Sequence, residues 1–184
     1  MQYSIVSKYP CFYNRKPFLL FLFFLIISLN SFSQGAYLLT VDGTIKEGRD
    51  KLADATISLM KDGTFEGKLV TNASGKFGFD LEMDHDYMLV FSKNVYVSKK
   101  IKINTKNVPP EEAEFGFEFG GWQVELFKEV EGLDVSILDK PIGIVSYDAS
   151  IGGFNHDAKY TTSIRSEVAN LQTDLDQSVA EQAS

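Results

Sequence analysis

The 184-residue chain carries 25 acidic against 18 basic side chains, a net charge of −7, with one cysteine and two histidines. A surface of that sign repels phosphate backbones and anionic headgroups, which argues against a nucleic-acid partner. One thiol builds no disulfide framework within the chain, and two histidines are too few for a multi-histidine zinc site.

Residues 1–33 have the three-part layout of a secretory signal peptide. Lys8, Arg15 and Lys16 form a basic start, Phe18 to Leu29 is apolar apart from Ser28, and Ser31-Phe32-Ser33 places small residues at −3 and −1 of a cleavage site before Gln34. Twelve positions fall short of the roughly 20 that a membrane-spanning anchor needs. Cys11 precedes the apolar run, whereas a lipoprotein acceptor cysteine follows it. The 151 residues after the leader hold no thiol and a net charge of −10, since Lys8, Arg15 and Lys16 leave with it and no acid does. A chain of that length fits one domain able to bury a core without staples.

Leu39, Val41 and Ile45 alternate with Thr40, Asp42 and Thr44, the period of a strand with one buried face. Ala55, Ile57 and Leu59 repeat the pattern, Asp62-Gly63 suits a tight hairpin, and Phe65 to Val70 reads as the returning strand. Phe77, Phe79 and Leu81 form the next inward set. After the acidic turn Glu82 to Asp86 come Tyr87, Leu89 and Phe91, then Val97, Ile101 and Ile103. Six short strands with regular turn signals and no intervening helix predict an antiparallel sandwich, because parallel neighbours are usually joined by crossover helices.

After Asn107 the segment Val108-Pro109-Pro110-Glu111-Glu112 reads as a linker or long loop, because proline gives no ladder donor and carboxylates resist burial. Trp122, Val124 and Leu126 predict a further sandwich strand, and Val135 to Leu138 and Ile142 to Tyr147 are short extended candidates around Pro141. From residue 157 the texture is helical: Tyr160, Ile164, Val168, Leu171, Leu175 and Val179 follow a 4-4-3-4-4 spacing that draws one apolar stripe. Such a stripe either docks on the sandwich or binds a partner.

No Gly-x-Ser-x-Gly elbow, phosphate loop, dinucleotide fingerprint or His-Glu-x-x-His frame is present, so the chain is expected not to be an enzyme, with no catalytic residue, cofactor or metal assigned. Asp80-Leu-Glu82-Met-Asp84-His85-Asp86 repeats acids at every second position, a pattern that suits a calcium loop or an exposed strand end. Without the glycine that bends an EF-hand, the exposed turn is preferred. His156 reads as a loop-orienting or capping residue. Asn72-Ala73-Ser74 fits a glycosylation acceptor but is read as a turn. Tyr37, Tyr87, Tyr96 and Trp122 are rings that offer a glycan platform if they share an exposed face.

Val41-x-Gly43, the Ala53 to Leu59 strand, Thr71-x-x-x-Gly75-x-Phe77, Tyr87-x-Leu89-x-Phe91 and Val95-Tyr96-Val97 together resemble the carboxypeptidase regulatory-like domain over about Leu38 to Ile103. This sequence departs from that family in carrying Val95 where a glycine usually precedes the tyrosine. The resemblance implies a mainly β fold, a transthyretin-like (prealbumin-like) Greek-key β-sandwich, here with a C-terminal α-helix. It divides the chain into a leader (1–33), the sandwich (34–106), an extension with one further strand and loops (107–156) and the helix (157–184). Phe115-Gly-Phe through Trp122, Gly132-Leu-Asp134-Val, Lys140-Pro-Ile142-Gly and Tyr160-Thr are similar to an extension in envelope proteins of the Bacteroidetes lineage. That similarity implies an exported protein, either periplasmic or peripheral to the outer membrane, acting as an accessory to secretion, gliding or outer-membrane machinery. Phe115, Phe117, Phe119 and Trp122, with Tyr160, Ile164, Val168, Leu171 and Leu175, are the expected partner-binding residues. The expected partner is a protein, with a carbohydrate or peptidoglycan as the alternative and no small-molecule substrate.

Overall fold

The computed structural model describes residues 37–182, so the leader expected over 1–33 lies outside the described residues. Two sheets pack face to face as a β-sandwich, followed by one long helix. In the first sheet β1 (Leu38–Glu47) pairs antiparallel with β5 (Lys76–Glu82), antiparallel with the two-residue β2 (Asp50–Lys51), and parallel with β8 (Phe117–Glu125). The second sheet runs β10 (Gly153–His156), β9 (Gly143–Asp148), β7 (Lys99–Asn104), β6 (Asp86–Ser92), β3 (Thr56–Lys61), β4 (Thr64–Val70). Leu39, Val41, Ile45, Phe77 and Leu81 from one sheet meet Ile57, Leu89, Phe91, Ile103 and Val145 from the other in a single core. The period-two alternation thus does what it predicts, since each strand presents one apolar face to the opposite layer.

The β3–β4 hairpin turns at Asp62 and Gly63, with φ of 48° and 80°. Two consecutive left-handed residues match the twist of the flanking strands, and Asp-Gly is a pair that adopts them readily. Asn72-Ala73-Ser74 is a turn as expected: the Ser74 N–H donates to Asn72 Oδ1 at 2.9 Å, and the Gly75 N–H donates to the Asn72 carbonyl at 2.9 Å.

Three expectations need correction. The sandwich is not antiparallel throughout, because β1 pairs parallel with β8 and β7 pairs parallel with β9. A parallel pair needs a return path and not specifically a helix: the chain between β1 and β8 builds β2 to β7, and that between β7 and β9 crosses to the first sheet as β8. Residues 135–138 are not extended, since Ser136–Asp139 forms a 3-10 turn that buries Leu138. The linker after Asn107 contains a short helix, α1 (Pro110–Ala113), with proline in its first turn, where the missing N–H costs nothing.

Val95 takes φ = 62° just before Tyr96, which buries its ring and donates its hydroxyl to Glu47 Oε2 at 2.6 Å. A left-handed β-branched residue costs roughly 1–2 kcal/mol in Cβ crowding. Val95→Gly is therefore expected to raise stability by about 1 kcal/mol, because the residue is 57% exposed and little packing is lost. Urea denaturation checks this, and an unchanged or lower midpoint refutes it.

Candidate functional site

The expected partner-binding residues divide into three groups. Phe115 follows α1 and stands 88% exposed. Phe117, Phe119 and Trp122 lie along β8, partly buried against the sandwich core. Edge-to-face contacts tie β8 to the second sheet, Phe117 to Phe154 at 5.3 Å and to Tyr147 at 6.0 Å, and Phe119 to His156 at 5.2 Å, while Phe119 also meets Trp122 of its own strand at 5.7 Å. These rings close one side of the sandwich, where β8 faces β9 and β10.

The third group lies on α2 (Ala158–Gln182). Ile164, Leu171 and Leu175 are buried, and Tyr160 and Val168 are half-buried. Leu171 joins buried Val97 and Leu138, with Phe127, Leu133 and Val135 packed around them. The Tyr160 hydroxyl donates to the Pro141 carbonyl at 2.7 Å. The stripe legible in the sequence is thus used within the chain, and 51%-exposed Val179 is its outlying member.

The aromatic rings nominated as a glycan platform do not share a face. Tyr87 and Tyr96 are core residues, Trp122 is half-buried, and only Tyr37 of the four is exposed. The acidic segment does not converge on one point either. Asp80 Oδ1 accepts from the Thr40 hydroxyl at 2.7 Å, Glu82 pairs with Lys61, and Asp86 pairs with Lys102 at 3.3 Å and Lys106 at 2.6 Å. His85 Nδ1 lies 2.6 Å from Asp62 Oδ2, so His85 holds the β3–β4 hairpin against the β5–β6 turn. The hydrogen bond from Lys106 holds the Asp86 carboxyl below its usual range, and that from Lys61 does the same for Glu82. Tyr147 moves the other way: its hydrogen bond with Glu112, supported by desolvation, pushes it up to about 12.

A cleft of about 520 Å³, which no motif in the sequence announces, opens between β8, the second sheet and the first two turns of α2. Ile101, Val124 and Ile142 are its apolar lining residues, and Trp122, Asn155, His156, Thr161 and Arg165 are among the polar or amphipathic ones. No aspartate or glutamate is among its lining residues, in a chain where acids outnumber bases. Trp122 Nε1 and Thr161 Oγ1 are buried and have no hydrogen-bond partner among the described residues. Of the hydroxyls on α2, that of Thr161 is the buried one without a partner among the described residues. The hydroxyls of Thr162, Ser163, Thr173 and Ser178 each donate back to a carbonyl of the preceding turn. The volume and the mixture of apolar lining and few polar groups are those of small-ligand sites, which span about 300–1,000 Å³.

A scan against family models gave no match, and a search of curated proteins gave none. Among solved structures the chain is similar to catechol 1,2-dioxygenase of Acinetobacter radioresistens, at 12% identity over 55% of each chain with a TM-score of 0.40. It is similar to 3-chlorocatechol 1,2-dioxygenase of Rhodococcus opacus 1CP at 13% identity over 50% of this chain and 60% of that one, TM-score 0.37. A third match is hydroxyquinol 1,2-dioxygenase of Pseudomonas putida DLL-E4, at 8% identity over 50% and 57%, TM-score 0.37. The chain spans 55–60% of the length of these structures. The expectation that the chain is not an enzyme is corrected by these matches: the three structures named are enzymes, so lack of activity is not a conclusion to carry forward. At TM-scores below 0.5 the likeness carries no argument about what reaction, if any, this chain performs.

Proposed function

We propose that the chain is an exported interaction module of the bacterial cell envelope, periplasmic and peripheral to the outer membrane, which docks on a protein assembly there. Its sandwich belongs, on this reading, with the transthyretin-like Greek-key modules of the carboxypeptidase regulatory-like family. The turn and core residues quoted for that resemblance support the assignment, and a two-layer sandwich with a C-terminal helix accords with it.

The observation that carries the reading is Phe115. A phenylalanine 88% exposed gains from burial that its own fold does not supply, and full burial of such a side chain is worth about 1.5–3 kcal/mol. Ile151, 60% exposed at the tip of the β9–β10 hairpin, lies on a neighbouring segment, because the Tyr147 hydroxyl donates to Glu112 and ties that hairpin to α1. Exposed apolar side chains on segments held by the fold are what a protein partner uses as anchors.

The test is crosslinking and purification of the tagged chain from its native envelope, with the wild type beside Phe115→Asp. A reproducible co-purifying protein, lost with Phe115→Asp while the thermal unfolding of the variant stays unchanged, supports the reading. A wild-type chain that purifies alone, or partners that Phe115→Asp retains in full, overturns it.

A further inference from the structure

We infer that the cleft between β8, the second sheet and α2 is a binding site for a small organic carboxylate with an apolar body. This goes beyond docking through Phe115 and uses a different part of the molecule.

Three features point to that chemistry. The first is the pair of buried polar atoms without a protein partner, Trp122 Nε1 and Thr161 Oγ1. An indole nitrogen only donates, and a hydroxyl donates or accepts, so an acceptor-rich guest that shifts the atoms covering them would give both a partner. Folded proteins seldom leave such groups unpaired, because a buried polar atom without a partner forfeits its solvation. The helix offers Thr161 the same carbonyl route that Thr162, Ser163, Thr173 and Ser178 take, and its hydroxyl is not on that route.

The second is charge. Arg165 lines the cleft and forms no ion pair among the described residues, although the chain has seven more acids than bases. Asp157, beside the first turn of α2, is engaged elsewhere, since its Oδ1 accepts the Tyr160 N–H at 2.9 Å as a cap of that helix, and Glu167, two residues from Arg165, is not among the lining residues. A guanidinium offers a planar fork that fits a carboxylate, and no carboxylate of the lining competes for it.

The third is the apolar lining. Ile101, Val124, Ile142 and the Trp122 ring give a guest with an apolar body a surface that an inorganic anion does not use. The carboxylate therefore sits toward Arg165 and Thr161, and the body lies against β7, β8 and the start of β9.

Trp122 is the only tryptophan in the chain, so its indole N–H gives a single resonance that reports on the cleft directly. The experiment titrates the purified 15N-labelled chain with hexanoate, phenylacetate, phenylacetamide, acetate and inorganic phosphate, and follows that resonance. The expected result is a saturable downfield shift with hexanoate or phenylacetate at dissociation constants of about 1 mM or tighter. Phenylacetamide, acetate and phosphate should bind at least about tenfold more weakly, because each lacks either the charge or the body. Arg165→Met should weaken the two larger carboxylates by about tenfold and leave phenylacetamide unaffected. Arg165 is exposed, so that variant keeps the fold, which its thermal unfolding verifies. Phe115→Asp should change none of these titrations, so loss of the envelope reading and loss of the cleft site are told apart. Absence of a saturable shift with both larger carboxylates overturns the inference. So does equal binding of phenylacetamide, saturation by phosphate alone, or indifference of carboxylate binding to Arg165→Met.

Discussion

Replacing Thr71 by valine is expected to cost about 3 kcal/mol, although the two side chains have nearly the same shape. Thr71 is 2% exposed and follows β4, and its hydroxyl bridges the chain between β2 and β3. Thr71 Oγ1 accepts from the Ala55 N–H at 3.0 Å and donates to the Leu52 carbonyl at 2.9 Å. Backbone bonds flank it: the Thr71 N–H donates to the Ala55 carbonyl and the Asp54 N–H to the Thr71 carbonyl, each at 2.9 Å. Valine keeps the β-branch and the volume, so no cavity opens and the strand preference stays. It removes the bridge and leaves one backbone donor and one acceptor without their partner, each costing about 1–3 kcal/mol when buried. Ala55 is fully buried, so water does not take over easily. For a domain of about 150 residues this lowers the unfolding temperature by roughly 6–12 °C. Thr71→Ser retains the hydroxyl and loses one methyl, a cost near 1 kcal/mol. Urea unfolding of both variants decides the matter: a loss in Thr71→Val no larger than about 0.5 kcal/mol, with the larger loss in Thr71→Ser, would mean that the methyl group, and not the bridge, holds this corner.

That threonine also marks where sequence reading succeeds and where it stops. Thr71 was legible as part of a turn motif, because turns and strands depend on residues near each other in the chain. The inward alternation from Leu39 to Ile103 and the hairpin at Asp62-Gly63 have the same local origin. The parallel pairing of β1 with β8 joins residues more than seventy positions apart, such as Leu39 and Phe117, and leaves no periodicity to read. Nor does a four-residue 3-10 turn such as Ser136–Asp139, whose apolar content resembles a short strand. The stripe of α2 was visible, but amphipathicity records only that a face is apolar. Whether that face meets its own chain or another one is decided by Val97 and Leu138, which sequence periodicity does not place beside Leu171. The cleft was the least legible feature. Its walls come from β7, β8, β9, β10 and α2, and of its polar groups only Trp122 was a candidate beforehand. An unpartnered indole N–H or hydroxyl is a property of the assembled fold, and no spacing rule encodes it.

Gly43→Ala is the second large effect, and it links the sandwich to the cleft. Gly43 sits in the middle of β1, where the pairing with β8 shifts register between Val41 and Gly43. A Cβ placed there would lie 2.7 Å from the Trp122 carbonyl oxygen and 2.7 Å from Cζ of the Phe77 ring. Phe77 can yield little, since it is 5% exposed and packs edge to face on Phe91 at 5.3 Å. The Trp122 oxygen is backbone, so relief requires β8 to move away from β1. Overpacking of this kind costs about 1–3 kcal/mol, and the smaller unfolded-state entropy of alanine returns only about 0.4–1 kcal/mol. The expected net loss is about 1–2 kcal/mol, read from urea unfolding. The displacement has a second readout, because the residue pushed is Trp122 itself, whose ring lines the cleft. The emission maximum of this single tryptophan should move in the folded Gly43→Ala chain, whereas a destabilising control outside β1 and β8, such as Thr71→Val, should leave it in place. A variant that unfolds with the wild-type midpoint and keeps the wild-type emission would show that β1 and β8 have room at Gly43, and that the register shift, not close approach, explains the glycine.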